Sequence, residues 1–178
     1  MAKPDGANEP NRGGFRVVVS PERATLPNGH EIWLDIVHHP GAAAVVPFVG
    51  DAEVVLLRQY RHAAGGVILE VPAGKLDDGE PPERCAAREL GEEAGYRAGR
   101  LEALGSIWTT PGFCDEVIHL FAAFDLERCS SRPEDDEVIE VIRVPLEHAL
   151  ELVWRGELRD AKSALALIHA ARHVGRLR

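Results

Sequence analysis

The chain has no apolar run approaching the ~20 residues that cross a bilayer, no C-x-x-C pair, no internal repeat and no surplus of positive charge. Each absence excludes a class. Without an apolar run the chain is not read as a membrane protein. Its three cysteines, Cys85, Cys114 and Cys129, are odd in number and far apart, which argues against a disulfide framework or a cysteine zinc site and suits reduced thiols in the cytoplasm. A net charge of −9 opposes non-specific binding to nucleic acid, which relies on Lys and Arg displacing counterions from phosphates. A small anionic ligand is compatible with that charge only where cations, including metal ions, gather locally. What is present is 178 residues with 45% apolar content, enough for one domain with a real core. The start, MAKPDGANEPNRGG over residues 1–14, is polar with no apolar segment behind a basic region, and it reads as a disordered tail and not a signal peptide.

Phe15 to Ser20 and Glu31 to His38 are rich in β-branched and aromatic residues and flank Asn28-Gly29, a strong hairpin signal. They predict an N-terminal antiparallel β subdomain over residues 15–40. Past His39-Pro40-Gly41, strands are expected at Ala43 to Phe48, Glu53 to Tyr60 and Ile68 to Val71. A helix is expected from Pro81, whose ring suits a first turn, to Ala94, before the stop at Gly95. Strands at Leu101 to Trp108, Glu116 to Asp125 and Val138 to Val144 follow, then helices at Leu146 to Trp154 and Asp160 to Val174. This order predicts an α/β (α+β) class, a mixed sheet between helical layers, over residues 41–178. Leu150, Val153 and Trp154, then Leu165, Ile168 and His169, recur at helical spacing and read as packing.

The segment GKLDDGEPPERCAARELGEEAGY, from Gly74 to Tyr96, concentrates acidic residues. On a helix, Glu89, Glu92 and Glu93 stand at i, i+3 and i+4 and share one face. A plain solvated acidic face is the ordinary outcome of such a run. Like charges at that spacing repel, however, and Arg88 is the only cation beside them. A hard divalent cation, held by carboxylate and carbonyl oxygens, would resolve the repulsion.

The spacing across the whole segment resembles the Nudix box, G-x5-E-x7-R-E-U-x-E-E-x-G-U with U a large apolar residue. Gly74, Glu80, Arg88, Glu89, Leu90, Glu92, Glu93 and Gly95 occupy its fixed positions and Tyr96 the last bulky one. The flanking elements fit the α/β/α Nudix sandwich from about Gly41. The resemblance implies that Glu89, Glu92, Glu93 and the Ala73 carbonyl hold two or three divalent ions, Mg²⁺ with Mn²⁺ or Zn²⁺ as substitutes. Glu92 and Glu93 would share in catalysis through the metal. It implies that Glu80 and Arg88 form a structural ion pair, and that Gly74 and Gly95 turn the backbone tightly into and out of the helix. The implied chemistry is hydrolysis of a nucleoside diphosphate linked to another group.

Outside the box, LLRQYRHAAGGVILEVPAG is similar to the ADP-ribose pyrophosphatase branch, which places Arg58, Arg61 and Glu70 at substrate-binding positions. Arg61 is expected on the diphosphate, whose oxygens match a guanidinium fork. Glu70 is expected on a ribose hydroxyl, on the adenine amine, or as a supporting group. In WTTPGFCDE, Pro111, Gly112, Phe113 and Glu116 are similar to a loop lining the terminal ribose, with Phe113 as plain core the alternative. The acidic run RPEDDEVIEV resembles the loop that supplies a general base, for which Glu137 is chosen, with Asp136, Glu134 and Glu140 behind it. The branch implies a domain-swapped homodimer in which Trp33 stacks on adenine; a core tryptophan is the alternative. His38 or His39 is expected near the same pocket. The reading is ADP-ribose cleavage to AMP and ribose 5-phosphate, with GDP-mannose, UDP-glucose or FAD as rival substrates and a non-catalytic ADP-ribose sensor as the rival class.

Overall fold

A computed structural model of the chain describes residues 18–132 and 137–177. The tail read over residues 1–14 lies outside them, as do residues 15–17 of the expected first strand, Glu134 and Asp136. Asn28-Gly29 closes a hairpin, β1 (Val18–Thr25) pairing antiparallel with β2 (Glu31–His38). Gly29 sits at φ 82°, in the left-handed region that glycine enters without a steric penalty, and Asn28 Oδ1 accepts the His30 amide at 3.0 Å.

The remaining strands are β3 (Ala42–Val49), β4 (Glu53–Arg61), β5 (Gly66–Glu70), β6 (Ala73–Lys75), β7 (Tyr96–Trp108), β8 (Val117–Arg128) and β9 (Ile139–Pro145). They form one seven-stranded sheet in the order β5-β4-β3-β8-β7, with β6 against β3 and β9 against β4. Only β3 and β8 run parallel, so the sheet is mixed, as expected. The three-residue β6 was not anticipated, because Pro72 and Gly74 make its sequence read as a turn.

Nearly all of β3, AAAVVPFV, is buried because helices cover both faces of the sheet. Side chains alternate: Ala42, Ala44, Val46 and Phe48 share a core with α2 (Leu146–Trp154) and α3 (Ala161–His173), while Ala43 and Val45 pack with α1 (Pro82–Ala94). Leu56, Leu57, Leu90 and Leu120 are fully buried, each contributing roughly 1.5–3 kcal/mol. The expected phase of the last two helices needs correction. Trp154 and Leu165 are exposed, and α3 buries Ser163, Ala166, Leu167, Ala170 and Ala171. Small residues let α3 lie close on the sheet, a stripe that weighing the large apolar residues overlooks.

One irregularity positions everything that follows. β3 and β4 pair only through Phe48 with Val54 and Val49 with Glu53, then diverge. The chain from β5 to β6 crosses the opening: β5 pairs with β4, β6 with β3, and the Val45 amide donates to the Pro72 carbonyl at 2.9 Å.

Candidate active site

The acidic helix α1 begins where its sequence says it should, with Pro82 at its first position and Gly95, at φ 70°, closing it by donating to the Leu90 and Gly91 carbonyls. Glu89 and Glu93 turn inward, with 8% and 3% of their surface exposed, whereas the Glu92 side chain stays 44% exposed. Glu93 Oε2 accepts the Ala73 amide at 2.8 Å, which ties β6 to the helix. Gly74 is not a tight turn, contrary to expectation. It is a strand residue, and a Cβ there would lie 1.8 Å from Glu89 Oε1. Glycine is required because the Glu89 carboxylate occupies that space.

Arg88 pairs with Glu80, as expected, through Nε at 3.1 Å and Nη2 at 2.9 Å. It also donates from Nη1 to Glu89 at 2.6 Å and Glu92 at 3.0 Å, and from Nη2 to the Lys75 carbonyl at 3.0 Å. The guanidinium is therefore a hub that partly neutralises the acidic face, a wider role than fixing the loop. Its hydrogen bonds hold the Glu80 carboxyl down at about 2. Cys85 lies beneath, directing its thiol at the Gly74 and Lys75 carbonyls, and burial pushes it up to about 12, so it is a structural thiol.

Arg88 does not satisfy the site. Burial pushes Glu89 up to about 7 against the pull of Arg88, and Glu93 up to about 8 despite the Ala73 amide, with Glu137 raising both. Among the described residues no three His, Cys, Asp or Glu side chains already converge as a closed metal cage. The donor chemistry nevertheless fits a hard cation: two buried carboxylates beside an exposed third, all oxygen, with one guanidinium between them.

Above α1 lies a cleft of about 650 Å³, within the usual range for a small-molecule site. Its walls include Arg61, Ala73, Gly74, Glu89, Glu92, Glu116 and Glu137, so residues far apart in the sequence meet around the box. Glu93, 3% exposed, is not among the lining residues. His39 also lines the cleft, with Nδ1 3.4 Å from Glu116, while His38 lies outside it, bridging Asp115 at 2.7 Å and Glu22 at 2.6 Å. Those two hydrogen bonds raise the His38 pKa and tie the hairpin to the Thr109–Glu116 loop, a tie reinforced by Val37 donating to the Phe113 carbonyl.

Several expected contacts are not cleft walls in this chain. Arg58 points to solvent and pairs with Glu140, its register partner on β9, at 3.1 Å; the two are occupied with each other. Pro111, Gly112 and Phe113 do not line the cleft, and Phe113 is 54% exposed and so not plain core. Trp33 stands 71% exposed on the hairpin, which removes the core alternative. Glu70 is 1% exposed, does not line the cleft, and accepts both Nε and Nη2 of Arg61.

The missed residues are on α3, read from sequence as packing. Asp160 caps the helix by accepting the Ser163 amide and hydroxyl, and the Ser163 Oγ accepts the Val71 amide at 2.8 Å. Lys162 reaches Glu70 at 2.5 Å, and Asp160, Ala161 and Lys162 all line the cleft. The cap signal, Asp before a helical run, was visible. That the first turn would land beside β5 was not, because it depends on the sheet's opening.

A family model described as NUDIX domain matches residues 37–166. The chain is 43% identical over 148 residues to an ADP-ribose pyrophosphatase of Bacillus subtilis, covering 82% of this chain and 80% of that protein. It is 41% identical over 139 residues to a GDP-mannose pyrophosphatase of Cronobacter sakazakii, covering 72% of each. A crystal structure of an ADP compounds hydrolase superposes with a TM-score of 0.80 at 25% identity, over 95% of this chain and 94% of that one.

Proposed function

The chain belongs to the Nudix family of hydrolases, and from that premise we propose that it cleaves the diphosphate of ADP-ribose by water, giving AMP and ribose 5-phosphate. The observation that carries the reading is the cleft in which Arg61, Glu116 and Glu137 face the box carboxylates. Glu89, Glu92, Glu93 and the Ala73 carbonyl would hold divalent ions, Mg²⁺ first among them. Bound there, such ions supply charge neutralisation on the diphosphate and lower the pKa of a water. Arg61 grips the diphosphate, Glu116 with His39 borders the sugar end, and Glu137 accepts the proton of the attacking water. Trp33, exposed on the hairpin with Val18 and Val19, would stack on adenine in a second copy's site, which makes a homodimer the working form. The odd, widely spaced thiols support a cytoplasmic setting.

A second reading, hydrolysis of GDP-mannose, is favoured by the similarity to the Cronobacter enzyme. The test is a panel of ADP-ribose, GDP-mannose, UDP-glucose and FAD with Mg²⁺ or Mn²⁺. The highest kcat/KM is expected on ADP-ribose. A higher value on GDP-mannose would assign the second reading, and binding of ADP-ribose without turnover of any compound would make the protein a sensor.

The raised carboxyls also fix a pH dependence. Glu89 and Glu93 have folded pKa values of about 7 and about 8, above the ordinary 4.5, so they contribute stability below pH 4.5 that is lost as pH rises through 7 and 8. Metal-free protein should therefore lose about a few kcal/mol, roughly 5–10 °C in Tm, between pH 6 and 9. Mg²⁺ binds the deprotonated carboxylates and should raise Tm far more at pH 8.5 than at pH 5.5. Thermal melts with and without EDTA measure both; an Mg²⁺ shift independent of pH would contradict it.

A further inference from the structure

Four charged groups from three elements meet at the cleft wall, where Arg61, Asp160 and Lys162 line the cleft and Glu70 does not. Glu70 ends β5 and, although its side chain is 1% exposed, it accepts Arg61 Nε at 2.7 Å, Arg61 Nη2 at 3.1 Å and Lys162 Nζ at 2.5 Å. Lys162 also donates to Asp160 at 3.0 Å, from the first turn of α3. The fully buried Ser163 of that turn receives the Val71 amide, so α3 holds both the Glu70 side chain and the backbone that follows it.

The charge balance defines what Lys162 does. Arg61 and Lys162 are countered by Glu70 and Asp160, so the cluster is neutral, and the Lys162 ammonium, 17% exposed, is engaged by both carboxylates. Arg61 differs: its side chain is 41% exposed, it lines the cleft, and Glu70 engages only its Nε and Nη2 edge, leaving other N–H groups for a ligand. Removing Lys162 would leave Glu70 and Asp160 as neighbouring carboxylates with Arg61 the nearest cation. The guanidinium would then be drawn off its single-edge contact toward both, because a buried carboxylate is tolerated only when its oxygens are met.

We propose that Lys162 is a positioning residue of the active site: by engaging Glu70 and Asp160 it aims the Arg61 guanidinium into the cleft for the substrate diphosphate. The assignment of the diphosphate to Arg61 rests on the Nudix reading above; the aiming of Arg61 does not. A plain structural tie between α3 and β5 would lower stability and leave substrate affinity unchanged.

The experiment compares wild type, Lys162→Met and Lys162→Arg. Lys162→Met should raise KM for ADP-ribose about tenfold or more while kcat stays within about threefold, since a mis-aimed charge-assisted hydrogen bond weakens substrate and transition-state binding alike. Lys162→Arg should restore most of the affinity. In ligand-free protein, the ¹⁵N–¹H signal of Arg61 Nε, identified by its absence in Arg61→Lys, should be protected from exchange in wild type, lose protection in Lys162→Met and regain it in Lys162→Arg. Unchanged KM together with an unchanged Arg61 signal in a folded Lys162→Met would overturn the proposal. Should wild type not hydrolyse ADP-ribose, the functional reading fails on its own, and the Arg61 signal still decides: lost and rescued supports positioning, unmoved refutes it. If Lys162→Met does not fold, Lys162→Gln, which keeps a donor toward Glu70 without the charge, carries the same readouts.

Discussion

Glu93→Gln is expected to lower turnover of ADP-ribose by about a thousandfold or more and to leave the protein folded. The side chain keeps its shape and an oxygen for the Ala73 amide, so the 2.8 Å tie between β6 and α1 survives. What is lost is one negative charge at the centre of the proposed metal site, and metal-borne stabilisation of developing charge amounts to several kcal/mol, or three or more decades in rate. The stability effect has the opposite sign. Burial pushes the Glu93 carboxyl up to about 8, so above that pH the wild-type carboxylate destabilises metal-free protein, and the neutral amide removes that burden. Metal-free Glu93→Gln should therefore melt no lower than wild type at pH 8.5, while Mg²⁺ raises its Tm much less. Near-normal kcat/KM in this variant would mean that the charge at Glu93 is not used.

Gly74→Ala is the second large effect and acts through geometry. The new Cβ would fall 1.8 Å from Glu89 Oε1, 2.2 Å from Cδ and 2.7 Å from Oε2, so the carboxylate must move. The backbone at Gly74 does not adopt the left-handed conformation, so alanine brings no φ strain there. The clash is with the end of a flexible side chain, which limits the folding penalty to about 1–3 kcal/mol of overpacking. Activity suffers more, since a carboxylate displaced by about 1 Å costs on the order of a hundredfold in rate. Expected are a Tm lowered by a few degrees, kcat/KM lowered at least about a hundredfold and weaker activation by Mg²⁺. Full activity at ordinary Mg²⁺ would show that the position of Glu89 is not critical.

How much of this was legible beforehand divides along a physical line. Local rules sufficed for the hairpin at Asn28-Gly29 and for α1 between Pro82 and Gly95, because turn chemistry and capping act within a few residues, whereas the Glu80–Arg88 pair came from the resemblance. Resemblance located the box carboxylates and Arg61. The direction of side chains outside the box was not legible. Arg58 and Arg61 differ by an odd three positions on one strand and so leave it on opposite faces: Arg58 meets its register partner Glu140 in solvent, while Arg61, in register with Gly66, reaches along β5 to Glu70 at the cleft. Gly74 looked like a turn because its neighbour Pro72 suggests one, whereas its need for glycine comes from a carboxylate fifteen residues later. The first turn of α3 was read as packing because its alanine stripe is real; its contacts with Glu70 and Val71, and the place of Asp160 and Lys162 in the cleft, are long-range and leave no local signal.

The central claim is that buried carboxylates on α1 serve metal-dependent cleavage of a diphosphate. Its most direct test is ADP-ribose turnover by EDTA-treated protein titrated with Mg²⁺, with products quantified. The expected result is no cleavage without metal, saturable recovery with it, and AMP and ribose 5-phosphate in equal amounts. Cleavage that persists in excess EDTA, or none at any Mg²⁺ or Mn²⁺ concentration, would contradict it.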